Sequence, residues 1–231
     1  MELAGKRVLV TGGAVRVGAA FAEGFARAGA QVTVHFRRSA EAAERLIFSL
    51  PGEGHDTVCA DLADPEAAAR LLDRIGHGID ILVNNASYYA REDADPALCE
   101  QVNLRSPLAL MRAFAAQLEL EEGAILNLLD GAALREHPTC DAYTASRASL
   151  ARATREWAVR LAPRIRVNGL APGPVLPPVW LPESRMAKAS AALPLKRPVD
   201  LSELVEAALF LCRTDSLTGV ILPVDCGLHL T

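Results

Sequence analysis

Tyr143 and Arg147 stand four residues apart in the run AYTASRASLARA. If that run is helical, the two lie on one face and the phenol and guanidinium are neighbours. A positioned phenol can give up the proton that completes a hydride reduction. A cation beside it favours the ionised form, lowering a pKa of about 10 by about 1–3 units. The same pair would also serve as an ordinary contact on a helix surface. Asp130 directly follows the stretch from Ala124 to Leu129, which reads as a strand. An ionised carboxylate there would repel the alkoxide formed when a ketone is reduced. It could instead accept from the N–H groups of a nitrogen-rich ring or, protonated in a dry pocket, donate to a ring nitrogen.

Such a reduction needs a hydride source, and the stretch VLVTGGAVRVG, residues 8–18, reads as its docking turn. Arg7 to Val10 is an apolar, β-branched run, Thr11-Gly12-Gly13 breaks it, and apolar residues recur at helical spacing from Val15 through Phe21, Phe25 and Ala28. A glycine turn at a helix N-terminus brings backbone N–H groups and a positive dipole end to an anion such as a pyrophosphate. Arg16 sits where a dinucleotide site would ordinarily have its middle glycine, and the turn alone could be a simple tight connection. After the next strand come Arg37, Arg38 and Ser39. An acidic residue here would bond a ribose 2′-hydroxyl, whereas two guanidinium groups and a hydroxyl suit a 2′-phosphate, so the implied cofactor is NADP(H). On its own the triplet would be a solvated basic turn. Asp61-Leu62 could hold an adenine, or Asp61 could cap a helix. Asn84-Asn85-Ala86-Ser87 could be a turn with asparagines in special conformations, and Tyr88 and Tyr89 could be loop packing residues.

The elements that would hold these residues alternate regularly. Strands are expected at Arg7–Val10, Gln31–Phe36, Asp56–Ala60, Ile79–Val83, Ala124–Leu129, Ile165–Leu170 and Val220–Val224. Helices are expected from Val15 to Ala28 and at Ala40–Leu50, Pro65–Ile75, Pro107–Leu120, Ala142–Leu161 and Leu201–Leu211. This alternation predicts an α/β fold: a doubly wound parallel sheet of Rossmann type, seven strands with helices on both faces, in one domain over residues 1–231. The proline-rich segment 172–198, which includes Trp180, is expected to be a substrate lid loop rather than a plain connection. Ligands of such sheets bind at the carboxyl ends of the strands, where all the residues above fall.

The ordered set T-G-x-x-x-R-x-G, D-L, N-N-A-S, N-x-x-x-P at Asn103 to Pro107, Y-x-x-x-R at Tyr143 to Arg147, R-V-N-G-L-A-P-G at Arg166 to Gly173 and L-P-V-D-C-G at Leu222 to Gly227 resembles the short-chain dehydrogenase/reductase family. The Arg16 variant, the string HFRRSAEAAE, NNAS followed by aromatics, and Asp130 in the family's serine position resemble its pteridine reductase branch. The resemblance implies that Gly12, Arg16, Val17, Gly18, Phe36, Arg37, Arg38, Ser39, Asp61, Leu62, Asn84, Ala86, Pro172, Gly173 and Val175 bind the cofactor together with Tyr143 and Arg147. It implies Asn103 among the catalytic residues with Asp130, Tyr143 and Arg147, and Arg16, Ser87, Tyr89, Asp130 and Tyr143 at the substrate, with Tyr89 stacked on a pterin. Family members have lysine at Arg147, and arginine keeps the charge and the ribose donors but is planar and effectively never deprotonated, which argues against a proton relay through this position. The implied activity is reduction of a dihydropterin or dihydrofolate by NADPH. The alternatives are a carbonyl or 3-ketoacyl reductase of the same family and a cofactor-binding chain with impaired catalysis.

Composition narrows the partners. A net charge of −4 over 231 residues gives no general basic field for nucleic acid. No apolar run approaches the roughly 20 residues that span a bilayer, and no leader is expected. Five widely spaced cysteines without C-x-x-C fit reduced thiols in a cytoplasmic protein, and five scattered histidines offer no metal-ligand pair. The expected partners are a small-molecule substrate and, by the resemblance, copies of the chain in a homotetramer built on the helices at 107–120 and 142–161.

Overall fold

The computed structural model describes residues 1–89, 95–139, 141–177 and 183–231. Seven strands form one sheet in the order β3-β2-β1-β4-β5-β6-β7, and every neighbouring pair is parallel. The strands are β1 (Arg7–Val10), β2 (Gln31–Phe36), β3 (Asp56–Cys59), β4 (Ile81–Asn84), β5 (Gly123–Leu128), β6 (Ile165–Pro172) and β7 (Ile221–Val224). The helices are α1 (Arg16–Arg27), α2 (Ala40–Ser49), α3 (Pro65–Ala69), α4 (Leu71–Ile75), α5 (Pro96–Glu100), α6 (Ser106–Ala115), α7 (Ala142–Leu161), α8 (Glu183–Ala191) and α9 (Leu201–Arg213).

Strand residues alternate between two cores, as the period of an extended chain requires. Val8, Val10, Val32, Val34, Ile81 and Val83 pack with α1, α2 and α9 on one face. Leu9, Leu82, Ile125 and Val167 pack with α3, α4, α6 and α7 on the other. Both faces of β1, β4 and β5 are therefore covered, which is why Val8–Val10, Ile81–Val83 and Ala124–Leu126 read as unbroken apolar stretches. Full burial of each such side chain contributes about 1.5–3 kcal/mol. The strand order reverses beside β1, and the crevice outside the carboxyl ends of β1 and β4 is the binding place of sheets of this topology.

The expected elements are all present, with shifts that have local causes. Helix 65–75 is split at Arg70, whose backbone (φ −99°, ψ 6°) closes α3 before α4 begins. Pairing of β4 starts at Ile81 rather than at Ile79, although Ile79 is buried. The helix expected from Pro107 begins instead at Pro96, capped by Asp95, which accepts from the Ala97 and Leu98 N–H groups. It passes through a π-helical turn at Gln101–Arg105 and ends at Ala115, short of Leu120. Pro107 lacks an N–H, so a carbonyl one turn earlier loses its donor, and the wider turn absorbs the mismatch. The 172–198 segment is not all loop, because helix formers such as Met186, Ala187 and Lys188 build α8 within it. Trp180 and the middle of that segment lie outside the described residues, as does Cys140.

Candidate active site

A cleft of about 840 Å³ opens over the carboxyl ends of the strands. One wall is the glycine turn after β1. Thr11 Oγ1 accepts from the Asn85 and Ala86 N–H groups, while Asn85 Nδ2 donates to the Thr11 and Gly12 carbonyls at 2.8 and 3.1 Å. Gly12 takes φ +61°, and a Cβ there would meet the Ala86 Cα at 3.1 Å. Val15 opens α1 without a side-chain cap, leaving the helix N-terminus at the cleft available to an anion.

The turn depends on a residue that sequence reasoning passed over as one of five scattered histidines. The Gly12 N–H donates to His35 Nδ1 at 3.0 Å and the Gly13 N–H to the His35 carbonyl at 2.9 Å. Nδ1 must therefore be the bare nitrogen, and Nε2 carries the proton toward the Ala60 carbonyl at 3.1 Å. The expected anion site thus rests on the start of α1 and not on the Gly12 or Gly13 N–H. Burial holds the His35 pKa down to about 4, against 6.5 for an ordinary imidazole. Because the folded value is the lower one, this neutral ring supports folding fully above about pH 6.5, and the support is lost as pH falls toward 4. We expect an acid-induced loss of about 3 kcal/mol between pH 7 and pH 4 that a His35→Gln variant lacks, read by urea unfolding across that range. Parallel pH dependences for the two proteins would remove His35 from this role.

At the far end Phe36, Arg37, Arg38 and Ser39 line the cleft after β2. Arg37 lies 3.7 Å from Asp61 Oδ1, which also accepts the Ala63 N–H. Asp61 is therefore a turn acceptor at the cleft edge, next to Leu62, and the helix cap is Asp64, which accepts from the Glu66 N–H. Arg38 makes no ion pair among the described residues, and Ser39 begins α2 with no side-chain cap bond.

The reactive groups meet where β5 ends and α7 begins. Asp141 caps α7 through the Thr144 N–H and so fixes the helix that carries Tyr143 and Arg147. The Tyr143 hydroxyl donates to Asp130 Oδ2 at 3.1 Å, while Asp130 Oδ1 accepts the Ala132 N–H at 2.7 Å. The Arg147 guanidinium carbon lies 5.4 Å from the Tyr143 ring centre. Arg147 is buried, donates Nη1–H to the Leu128 carbonyl at 2.8 Å, and keeps a buried Nε without a partner. The Tyr89 ring meets the Tyr143 ring edge-on, with centroids 4.7 Å apart. Ser87, Ala86, Val17, Gly18, Pro172, Gly173, Val175 and Arg16 also line the cleft.

One electrostatic expectation is reversed. Arg147 does pull the Tyr143 pKa down, but burial and the Asp130 charge outweigh it, and the phenol is pushed up to about 12. The hydroxyl is therefore a held proton rather than a ready phenolate. Burial also raises the Asp130 carboxyl, against the opposing pull of the Ala132 N–H, Arg147 and Tyr143.

Two singled-out side chains do not reach the cleft. Asn84 is buried in the sheet and donates to Asn127 Oδ1, which leaves Asn85 as the asparagine at the cleft wall. Asn103, in the π-helical turn, grips the Tyr88 backbone from both sides, accepting its N–H at 2.8 Å and donating to its carbonyl at 2.9 Å. Its Nδ2 also donates to Ser146 Oγ, which donates to the Tyr143 carbonyl. Asn103 is thus a positioning residue that ties the aromatic pair to α7. Among the described residues no cluster of His, Cys, Asp or Glu could hold a metal ion, and no helix is long and apolar enough to cross a membrane.

Residues 13–229 match the family described as Enoyl-(Acyl carrier protein) reductase. The chain belongs to the short-chain dehydrogenase/reductase family. This short-chain reductase is 32% identical over 248 residues to L-xylulose reductase of Bos taurus, covering 100% of this chain and 99% of that protein. Among solved structures it is similar to FolM Alternative dihydrofolate reductase 1 from Brucella canis, complexed with NADP, at 34% identity and TM-score 0.87, covering 100% and 96% of the two chains. It is also similar to a gluconate 5-dehydrogenase from Burkholderia cenocepacia in complex with NADP and tartrate, at 27% identity and TM-score 0.87, covering 99% and 96%.

Proposed function

We propose that this chain is an NADPH-dependent reductase whose acceptor is a C=N bond in a flat, nitrogen-bearing ring of the pteridine class. The observation that carries the reading is Asp130 Oδ2 at 3.1 Å from the Tyr143 hydroxyl, with the Tyr89 ring beside it. NADPH, when bound, supplies the hydride. The cleft fits such a cofactor on three counts: the uncapped start of α1, the basic run after β2, and the orphaned Nε of Arg147 in the cleft wall. Val17 and Gly18 at the start of α1 would hold its pyrophosphate, in a turn that Gly12 shapes, Asp61 and Leu62 its adenine, and Arg37, Arg38 and Ser39 a 2′-phosphate. Arg147 would take the nicotinamide ribose, near Pro172, Gly173 and Val175. Both solved neighbours described above carry NADP, which supports this part of the reading. Arg38→Ala is expected to weaken NADPH binding by about 10–100-fold and leave NADH nearly unchanged, as measured by calorimetry, because only the former offers a 2′-phosphate.

Tyr143 Oη delivers the proton to the acceptor nitrogen as the adjacent carbon is reduced. The buried Arg147, a fixed cation, steadies the phenolate left behind without relaying a proton. Asp130 accepts from ring N–H groups when ionised and, with its carboxyl raised by burial, also passes a proton taken from solvent back to Tyr143 Oη. Tyr89 offers an aromatic face to a planar ring.

A carbonyl acceptor is the second reading, and the names of the relatives favour it: L-xylulose and gluconate enzymes stand beside one dihydrofolate reductase among those described. In that case a neutral Asp130 carboxyl would donate to the carbonyl oxygen. NADPH oxidation should be followed with a dihydropterin, a keto sugar and a 3-ketoacyl thioester, using the natural chain and Asp130→Ser. Expected is faster turnover of the dihydropterin, falling by about 100-fold in the variant. Faster turnover of a carbonyl substrate, kept or raised by serine, overturns the pteridine reading.

A further inference from the structure

Arg16 holds φ +58°, a left-handed conformation that costs an arginine and would cost a glycine nothing. A residue kept there against that cost points to work done by its side chain. The guanidinium crosses the mouth of the cleft, and its Nη2–H groups donate to the Leu176 carbonyl at 3.3 Å and the Pro177 carbonyl at 2.8 Å. The chain leaving β6 is fixed as far as Pro174 by backbone bonds, Gly173 N–H to the Val224 carbonyl and Val199 N–H to the Pro174 carbonyl. Beyond that point, among the described residues, the bonds to this stretch come from Arg16. Leu176 lines the same cleft as Tyr89 and Asp130.

We propose that Arg16 is a positioning residue that fastens the segment after β6 to the cofactor turn and so holds Leu176 as part of the acceptor wall. The expectation from the family resemblance, a direct contact of Arg16 with pyrophosphate and substrate, becomes the competing outcome. The effect on the acceptor rests on the reductase reading above, whereas the fastening itself does not. Arg16→Gly keeps the turn conformation, so its thermal unfolding should be unchanged or raised. Amide exchange at Val175 and Leu176, read on the full chain without NADPH or substrate, should quicken by about tenfold or more. NADPH affinity should change by less than about threefold, while the acceptor KM rises about tenfold with a smaller change in kcat. Arg16→Lys, which keeps a donor, should recover part of the exchange protection. Unchanged exchange in Arg16→Gly overturns the fastening, whether or not NADPH affinity falls. Faster exchange in a chain that reduces no pteridine keeps the fastening and rejects only the substrate assignment.

Discussion

Tyr143→Phe is expected to reduce turnover by about 100–10,000-fold while NADPH affinity and overall fold stay close to those of the natural chain. The phenol is the group in the site with a proton to give and a geometry to give it. Its hydroxyl is bonded to Asp130, its ring is braced by Tyr89 and Arg147, and burial keeps it protonated with a pKa of about 12. Phenylalanine preserves those ring contacts and removes only the hydroxyl, so a large loss in kcat with intact cofactor binding separates proton delivery from packing. The variant also strips Asp130 of a bond that favours its ionised form, so the Asp130 carboxyl should titrate higher still, observable by NMR. Losing a neutral partner of a carboxylate should cost about 1 kcal/mol of stability. Turnover that survives the substitution would mean that the proton comes from elsewhere, and Tyr143 would then be a structural neighbour of Asp130.

How much of this was visible in the amino-acid order follows from the range of the forces involved. The strands and the long helix α7 were legible because burial on both faces, or on one helical stripe, imposes a period on the residues themselves. Ala142–Leu161 has the bounds expected of it because its start is set locally, by the Asp141 side chain that caps it. The cleft-lining residues were legible for a related reason, since strand ends share one edge of a parallel sheet whatever the details of packing. What could not be read were contacts between segments far apart in sequence. His35 looks like any polar residue in a strand until the Gly12 N–H is found on its Nδ1, and Asn103 looks catalytic until its amide is found clasping Tyr88. The direction of the Tyr143 shift was missed for the same cause. A charge four residues away can be counted from the sequence, whereas desolvation depends on everything packed around the ring.

The other large effect concerns the glycine that closes the turn after β1. Gly18→Ala is expected to weaken NADPH binding by about 100-fold and destabilise the fold by about 1–3 kcal/mol, the range for forcing an atom into a packed site. A Cβ on Gly18 would stand 2.1 Å from the Gly12 carbonyl oxygen, 2.7 Å from Asn85 Nδ2 and 2.9 Å from the Gly12 carbonyl carbon. Two of those atoms are backbone, so the turn itself must move. Gly12 also hangs on His35 and Asn85, so displacing it breaks the bonds that hold the turn to β2 and β4. Gly78→Ala is the matched control: its added Cβ would meet the end of the Arg7 side chain at 3.2 Å, which can swing aside, and Gln117 Oε1 at 3.6 Å, an ordinary van der Waals contact. That substitution should stay within about 0.5 kcal/mol of the natural chain and leave NADPH binding untouched. Calorimetric titration with NADPH and urea unfolding of both variants read the two effects separately. Equal behaviour of Gly18→Ala and Gly78→Ala would show that the turn can yield without cost, and the close approach of α1 to Gly12 would no longer explain why glycine stands there.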